Sequence, residues 1–466
     1  MKAFGAAFAI GGLLLAGCAA MGPRAARPAL VDATALAGVS AGAATPAVDE
    51  RWWRDFKDPQ LDALIEEALA ASPSIAAAAA RLARAEALAI AARGGRLPMT
   101  GFNASVERQR LSQKGLYPPP YGGSTLNLGQ LGIDFSYEVD LLGRVRADVR
   151  ASEASSRAAH GDVAAARLGV AAAVARTYMK LARNYALAAT LDEAVTRRRE
   201  QLELTEQRVR AGLDSDFETE AARAALASAD AELATADEER ALFLNELSAL
   251  LGAGPGRAAA LARPSYVLPA ALLLPAELPA NLVGRRPDVA ADRARVESAA
   301  ASVQLAETEF YPNVNLNAFA GFQSIALGSL VGSGTRAWNA GPALSLPLFY
   351  TGRLRGELAA RDADYVGAVS RYNSTVLEAF HEVADAAASL RLLEREQSAS
   401  SAAVAALEHA NALALSRYRA GLTNYLTVLI AEQNLLAQRR VNVDLEARRA
   451  ELAVALMRAL GGGFSA

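Results

Sequence analysis

Residues Leu142–Ala186 read LGRVRADVRASEASSRAAHGDVAAARLGVAAAVARTYMKLARNYA, and the run continues without Gly or Pro after Gly169 to RVRAGL at Arg208. A second stretch, Thr351–Glu394, reads TGRLRGELAARDADYVGAVSRYNSTVLEAFHEVADAAASLRLLE and reaches RYRAGL at Arg417. Gly143 to Gly352, Gly212 to Gly421 and Leu251 to Leu460 all differ by 209. A register held over about 110 residues marks a duplicated structural unit.

Each copy predicts a long helix, a tight turn at the Gly and a returning helix. The ascending segments, 144–211 and 353–420, have 68 residues each, enough for roughly 100 Å of helix at about 1.5 Å per residue. In the second copy Tyr365, Val369, Tyr372, Val376, Phe380, Val383, Ala387 and Leu390 are spaced close to a heptad. That spacing favours left-handed coiled-coil packing. Taken alone, it fits a helical bundle or rod equally well.

The segments in front of each copy change the reading. Leu131, Ile133, Phe135, Tyr137 and Val139 alternate with small or polar residues, as do Val314, Leu316, Ala318, Ala320 and Phe322. So do Trp338, Ala340, Pro342, Leu344, Leu346 and Leu348, and, more weakly, Phe102, Ala104 and Val106. Four two-period segments of roughly 10 residues have the length of tilted membrane-crossing strands. They predict one hairpin per repeat, at about 99–140 and about 313–349.

At the start, Lys2 precedes an apolar run that ends in Leu15-Ala16-Gly17-Cys18. This predicts a signal peptide over 1–17 and lipid attachment at Cys18, the single cysteine, followed by a tether over 18–49 rich in Ala, Gly and Pro. Ala19 in place of Asp favours outer-membrane sorting. The repeats then occupy 50–252, with a helical hairpin over 144–251, and 280–461, with one over 353–460. A linker at the waist spans 253–279 and a tail 462–466.

A shorter helix from Pro73 to Gly94 has its counterpart at Pro287, an offset of 214. The change from 214 to 209 places five extra residues in the first hairpin, at the loop QKGLYPPPYGGS. The returning helix 213–251 has 39 residues against 68, so the short helix fills the remaining length if the two stack end to end.

With 48 basic and 50 acidic residues, nothing favours a nucleic-acid partner. No apolar run beyond the signal reaches about 18 residues, which argues against a helical membrane protein. Four strands cannot close a barrel in lipid, so copies must associate as a dimer, trimer or tetramer. His160, His381 and His409 are isolated, and HEVAD at His381 lacks the second His of a zinc helix. No catalytic residue, metal site or cofactor is expected.

YEVDLLGRVRAD, GRRPDVA, FYPNVNLNA, LPLFYTGRLRGEL and RYRAGLTNYLTVLIAEQNLL resemble the TolC-like outer-membrane efflux channels, in particular the NodT-type lipoprotein branch paired with resistance-nodulation-division pumps. The resemblance covers about residues 50–461. It implies a mainly α fold with a β-barrel part: a homotrimer with a 12-stranded outer-membrane barrel continuous with a 12-helix periplasmic tunnel. It implies an efflux conduit working with a periplasmic adaptor and an inner-membrane pump. A protein-secretion conduit of the same fold and a lipid-anchored coiled-coil scaffold are the alternatives.

The resemblance further implies that the turns at Gly212 and Gly421 form the gated periplasmic tip. Arg208, Gly212, Leu213, Arg417, Gly421 and Leu422 then serve adaptor docking, while Asp214, Asp216, Glu218, Tyr418, Thr427 and Ile430 line the gate. Tyr418 and Glu218 match a tip network of the family, whose basic partner aligns with Thr423. Thr427 and Ile430 stand where members commonly carry pore aspartates. Arg210 and Arg419, like Arg208 and Arg417, also suit a helix C-terminus.

Overall fold

The computed structural model describes residues 27–32, 36, 39–40, 49–115, 117–268, 278–279, 284–347 and 351–464. The expected signal peptide and Cys18 lie outside them. Strand β1 (Val39–Ser40) precedes a 3-10 turn at Trp52–Phe56, helices α1 (Pro59–Ala71) and α2 (Pro73–Gly94), and strands β2 (Met99–Arg110) and β3 (Thr125–Val139). The long α3 (Arg144–Arg210) follows, and α4 (Asp216–Leu250) returns. The second half holds β4 (Leu278–Pro279), α5 (Pro287–Thr308), β5 (Asn313–Ser324), β6 (Arg336–Ser345), the long α6 (Thr351–Arg419) and α7 (Tyr425–Ala459). The described residues fold as two compact units, one built from those up to Leu30 with Arg81–Ala159 and Asp292–Tyr372, the other from the remaining described residues.

The first unit contains an antiparallel sheet in the order β2-β3-β5-β6. Its register sets Phe102, Ile133, Ala320 and Trp338 in one row across all four strands. Because side chains alternate along a strand, this row shares a face, and Trp338 on it is 80 % exposed. The opposite face carries Asp134, Ser136 and Asn317, with Ser136 Oγ donating to Asn317 Oδ1 at 3.2 Å. There Phe319 lies flat over Gly132 and Gly321, where a Cβ would stand 2.4 Å and 2.9 Å from its ring. The sequence suggested that the last strand runs on to Leu348; β6 ends at Ser345, and Leu348 lies outside the described residues.

Entry into α3 explains the YEVDLLGR motif. Asp140 accepts from the Val145 and Arg146 backbone N–H groups, 3.1 Å each, satisfying the first turn of the helix. Residue Arg27, expected in a featureless tether, is instead docked: it pairs with Asp362 of α6 at 3.0 Å and stacks over Tyr365.

In the second unit both helical hairpins close the same way. Gly212 and Gly421 have φ of +71° and +73°, a left-handed conformation that glycine adopts without strain. Leu213 N bonds the Arg208 carbonyl at 2.9 Å and Leu422 N the Arg417 carbonyl at 2.8 Å, so each orphan carbonyl at the helix end is satisfied. The apolar core gathers Trp52, Phe56, Leu61, Ile65, Tyr178, Met179, Leu247, Leu251, Val454 and Met457. The linker is part of this core: Leu261, Tyr266 and Leu268 pack against it, and Val267 N bonds the Phe56 carbonyl at 2.8 Å. The tether and linker, read as separate connectors, pair as a short parallel β1–β4 ladder.

The returning helices end against the starts of the short ones, as their lengths suggest. Gly252, after α4, lies over the Ala71 carbonyl. Gly461, after α7, lies over the Arg285 carbonyl. Arg286 of GRRPDVA fastens the second junction, bonding Asp288 at 2.7 Å, Glu382 at 2.6 Å and the Ala459 carbonyl at 3.4 Å. Along α6 the heptad seam is buried at Val369, Tyr372, Val376, Phe380 and Val383, then moves to Ala386 and Leu393. A straight helix drifts against a heptad, so the expected Ala387 and Leu390 are left half-buried.

Candidate functional site

The glycine turns bring α3, α4, α6 and α7 to one tip, where three side chains bind across the two repeats. Arg208, on the last turn of α3, donates to Asp214 through Nε at 2.8 Å and Nη2 at 3.2 Å. Its third nitrogen reaches the Tyr418 carbonyl of α6 at 3.1 Å, and its guanidinium stacks 4.5 Å from the Tyr418 ring centre. The Tyr418 hydroxyl donates to the same Asp214 carboxylate. A planar bidentate pair with a stacked ring is the geometry in which arginine outperforms lysine.

Charge and burial reinforce one another. The hydrogen bonds from Arg208 hold the Asp214 carboxyl below its ordinary range. Burial, then the bond to Asp214, pushes the Tyr418 phenol up to about 12, so it stays protonated and keeps donating. Tyr418 is 1 % exposed and packs on Tyr425 of α7 at 5.7 Å between ring centres.

The arrangement bears on two expectations. Glu218 does not partner Tyr418; it accepts from the Ser215 N–H at 2.9 Å in a capping box that starts α4, and Asp214 takes the acidic place. Arg208, expected in adaptor docking, has a guanidinium engaged within the chain and a side chain only 12 % exposed. Asp214 plus the repeat offset of 209 is Thr423, so the second turn lacks this carboxylate. Thr423 instead bonds Thr427 at 3.0 Å, and Asn424 caps α7. Gly212, Leu213, Asp216, Arg417, Gly421, Leu422, Thr427 and Ile430 are exposed. The Arg208–Asp214 link had a signal in the sequence: Asp214 is the acidic residue that the pseudo-equivalent turn lacks.

A sheet with apolar rows, open at both edges, and paired helical hairpins closed by glycine turns define a subunit of an outer-membrane channel. The family model described as outer membrane efflux protein matches residues 64–253 and 278–462, and the chain belongs to that family. It is 37 % identical over 366 residues to the fusaric acid resistance protein FusA of Burkholderia cepacia, covering 75 % of this chain and 68 % of that one. It is 30 % identical over 425 residues to the multidrug resistance outer membrane protein MdtP of Escherichia coli K12, covering 89 % and 87 %. The crystal structure of the outer membrane protein VceC of Vibrio cholerae superposes with a TM-score of 0.85 at 39 % identity, covering 90 % of this chain and all of that one. The protein is an efflux channel component of the outer membrane that extends into the periplasm.

Proposed function

We propose that three copies of the four-stranded sheet form a 12-stranded barrel continuous with a 12-helix tunnel, and that the assembly expels substrates handed over by a periplasmic adaptor and an inner-membrane resistance-nodulation-division pump. The observation that carries this is the pair of open edges. Strands β2 and β6 bound the sheet, and hydrocarbon cannot satisfy their outward backbone groups. A ring of 12 is wider than the barrels of about 8 strands that side chains fill, and leaves an aqueous lumen. The chain performs no catalysis in this reading. A lipid on Cys18 holds its start at the outer membrane, and the exposed Leu213, Arg417 and Leu422 present the adaptor surface. Averaged electron-microscopic views of protein extracted from outer membranes should show hollow three-fold particles; compact monomers or solid rods would overturn the assembly.

The Arg208–Asp214–Tyr418 network is the latch of the tip, and the ring at Thr427 and Ile430 lines its aperture. An isoleucine there favours dewetting over cation attraction. Ile430→Asp should shift reversal potentials under a salt gradient toward greater cation preference. An unchanged potential would remove Ile430 from the aperture.

A further inference from the structure

Beyond the latch, one carboxylate among the described residues is deeply buried and poorly bonded at both oxygens. Glu432 of α7 is 3 % exposed; neither carboxylate oxygen has a partner at full hydrogen-bond geometry, and the Gln201 side chain of α3 is the neighbouring polar group that favours its charged form. Arg198 of α3 is its ion-pair partner, but Nε stands 3.9 Å away, too long for a hydrogen bond, and is itself orphaned. Arg198 donates instead to the Ala225 carbonyl of α4 at 2.7 Å.

The other charges nearby are committed elsewhere. On α3, Arg197 is paired with Glu193. On α7, Arg439 bonds Glu193 at 2.7 Å and Glu408 of α6 at 2.5 Å. Tyr425 of α7 donates to Gln201 of α3 at 3.4 Å, and α4 offers the Ala225 carbonyl. A cleft of about 20 Å³ adjoins Glu432, Glu193, Arg197 and Arg439, room for about one water. Burial raises the Glu432 pKa and outweighs Arg198, Gln201 and Arg197, all of which favour the charged form, as expected where desolvation exceeds the attraction of a loosely paired buried charge.

We propose that Glu432 is a positioning residue for opening: its under-bonded carboxylate, sealed between α3 and α7, opposes the Arg208–Asp214–Tyr418 latch and favours separation of the two helices once the latch is broken. Tyr425, which packs on Tyr418 and bonds Gln201, links the two sites. Separation exposes the carboxylate to bulk water, beyond the single water the cleft has room for, and the ionised form gains most. The sign follows: the locked state raises the pKa, the unlocked state returns it toward 4.5, so unlocking releases a proton and is favoured as pH rises.

The proposal rests on the tip being the regulated aperture, which the background variant tests separately. Conductance of the full assembled protein in planar lipid bilayers is compared across pH for Tyr418→Phe alone and for Tyr418→Phe with Glu432→Gln. Tyr418→Phe should raise conductance above wild type, and this gain should grow as pH rises above 4.5. Glu432→Gln should cut the gain several-fold and flatten its pH dependence. An unchanged gain and slope would overturn the role of Glu432. No effect of Tyr418→Phe itself would overturn the gating reading instead. Should Glu432→Gln fail to assemble, Arg198→Gln in the same background strips the carboxylate of its cation and should increase the gain at neutral pH; an unchanged gain would overturn the proposal.

Discussion

Channels carrying Asp214→Asn should conduct several-fold more than wild type in planar bilayers while remaining fully assembled. The substitution keeps the shape of the side chain and removes the charge that accepts two bonds from Arg208 and one from Tyr418. A hydrogen bond to a charged group contributes about 1.5–3 kcal/mol, with the lower end apt for a tip facing water. Each 1.4 kcal/mol is about tenfold in an equilibrium, so even one lost bond moves the locked population measurably. The pH dependence has a definite sign. Asp214 has a lowered pKa, so its contribution is complete above the ordinary value of 3.8 and disappears as pH falls through the folded value. Wild-type latches should therefore hold at neutral pH and weaken in acid, whereas the Asn variant should lose that acid response. Conductance equal to wild type at neutral pH would show that Asp214 does not hold the tip.

Gly461→Ala should be the more damaging change to stability. Gly461 has φ of +89°, and a Cβ there would stand 1.8 Å from the Arg285 carbonyl oxygen. No side-chain rotation relieves a clash with backbone, so the junction between the end of α7 and the start of α5 must move. A cost above about 4 kcal/mol is expected, the range of clash and strain at special positions. Gly421 offers the control, because its φ is +73° but nothing lies within 4 Å. Gly421→Ala should cost about 1–2 kcal/mol, the left-handed penalty alone. Thermal dissociation of the assembled protein, read by gel mobility, ranks the two. Equal midpoints would mean that the Arg285 contact is not maintained.

The architecture was legible where the chain repeats itself. Constant offsets between glycines marked the two helical hairpins, and two-period alternation marked the strands that pair as β2-β3-β5-β6. Both signals are read along the chain itself, so no knowledge of distant contacts was required. The latch was less legible because Asp214 and Tyr418 are 204 positions apart. Repeat symmetry also suggested that Arg208 and Arg417 act alike, whereas Thr423 leaves Arg417 exposed. Glu218 was placed at the gate by resemblance, and that resemblance carried no sign that its carboxylate accepts from the nearby Ser215 backbone. Glu432 and Arg198 carried no signal at all: polar residues on a long helix normally face water, and only the packing of α3, α4 and α7 encloses them. Arg27 was hidden for the converse reason, since an Ala- and Pro-rich surrounding says nothing of a docked cation.

The pairing of β3 with β5 has a consequence for how such a ring is made. It joins the second strand of one hairpin to the first strand of the other, the same junction that β6 and β2 of neighbouring copies make in the proposed trimer. The ring is thus six near-equivalent modules of which every second seam is covalent. Fusing the modules in pairs halves the number of bodies that must find one another in the membrane and spares half the encounter entropy. It also frees the two modules to diverge, and the chain has used that freedom at Asp214 and Thr423: the carboxylate is written once per pair, giving three latches around six seams.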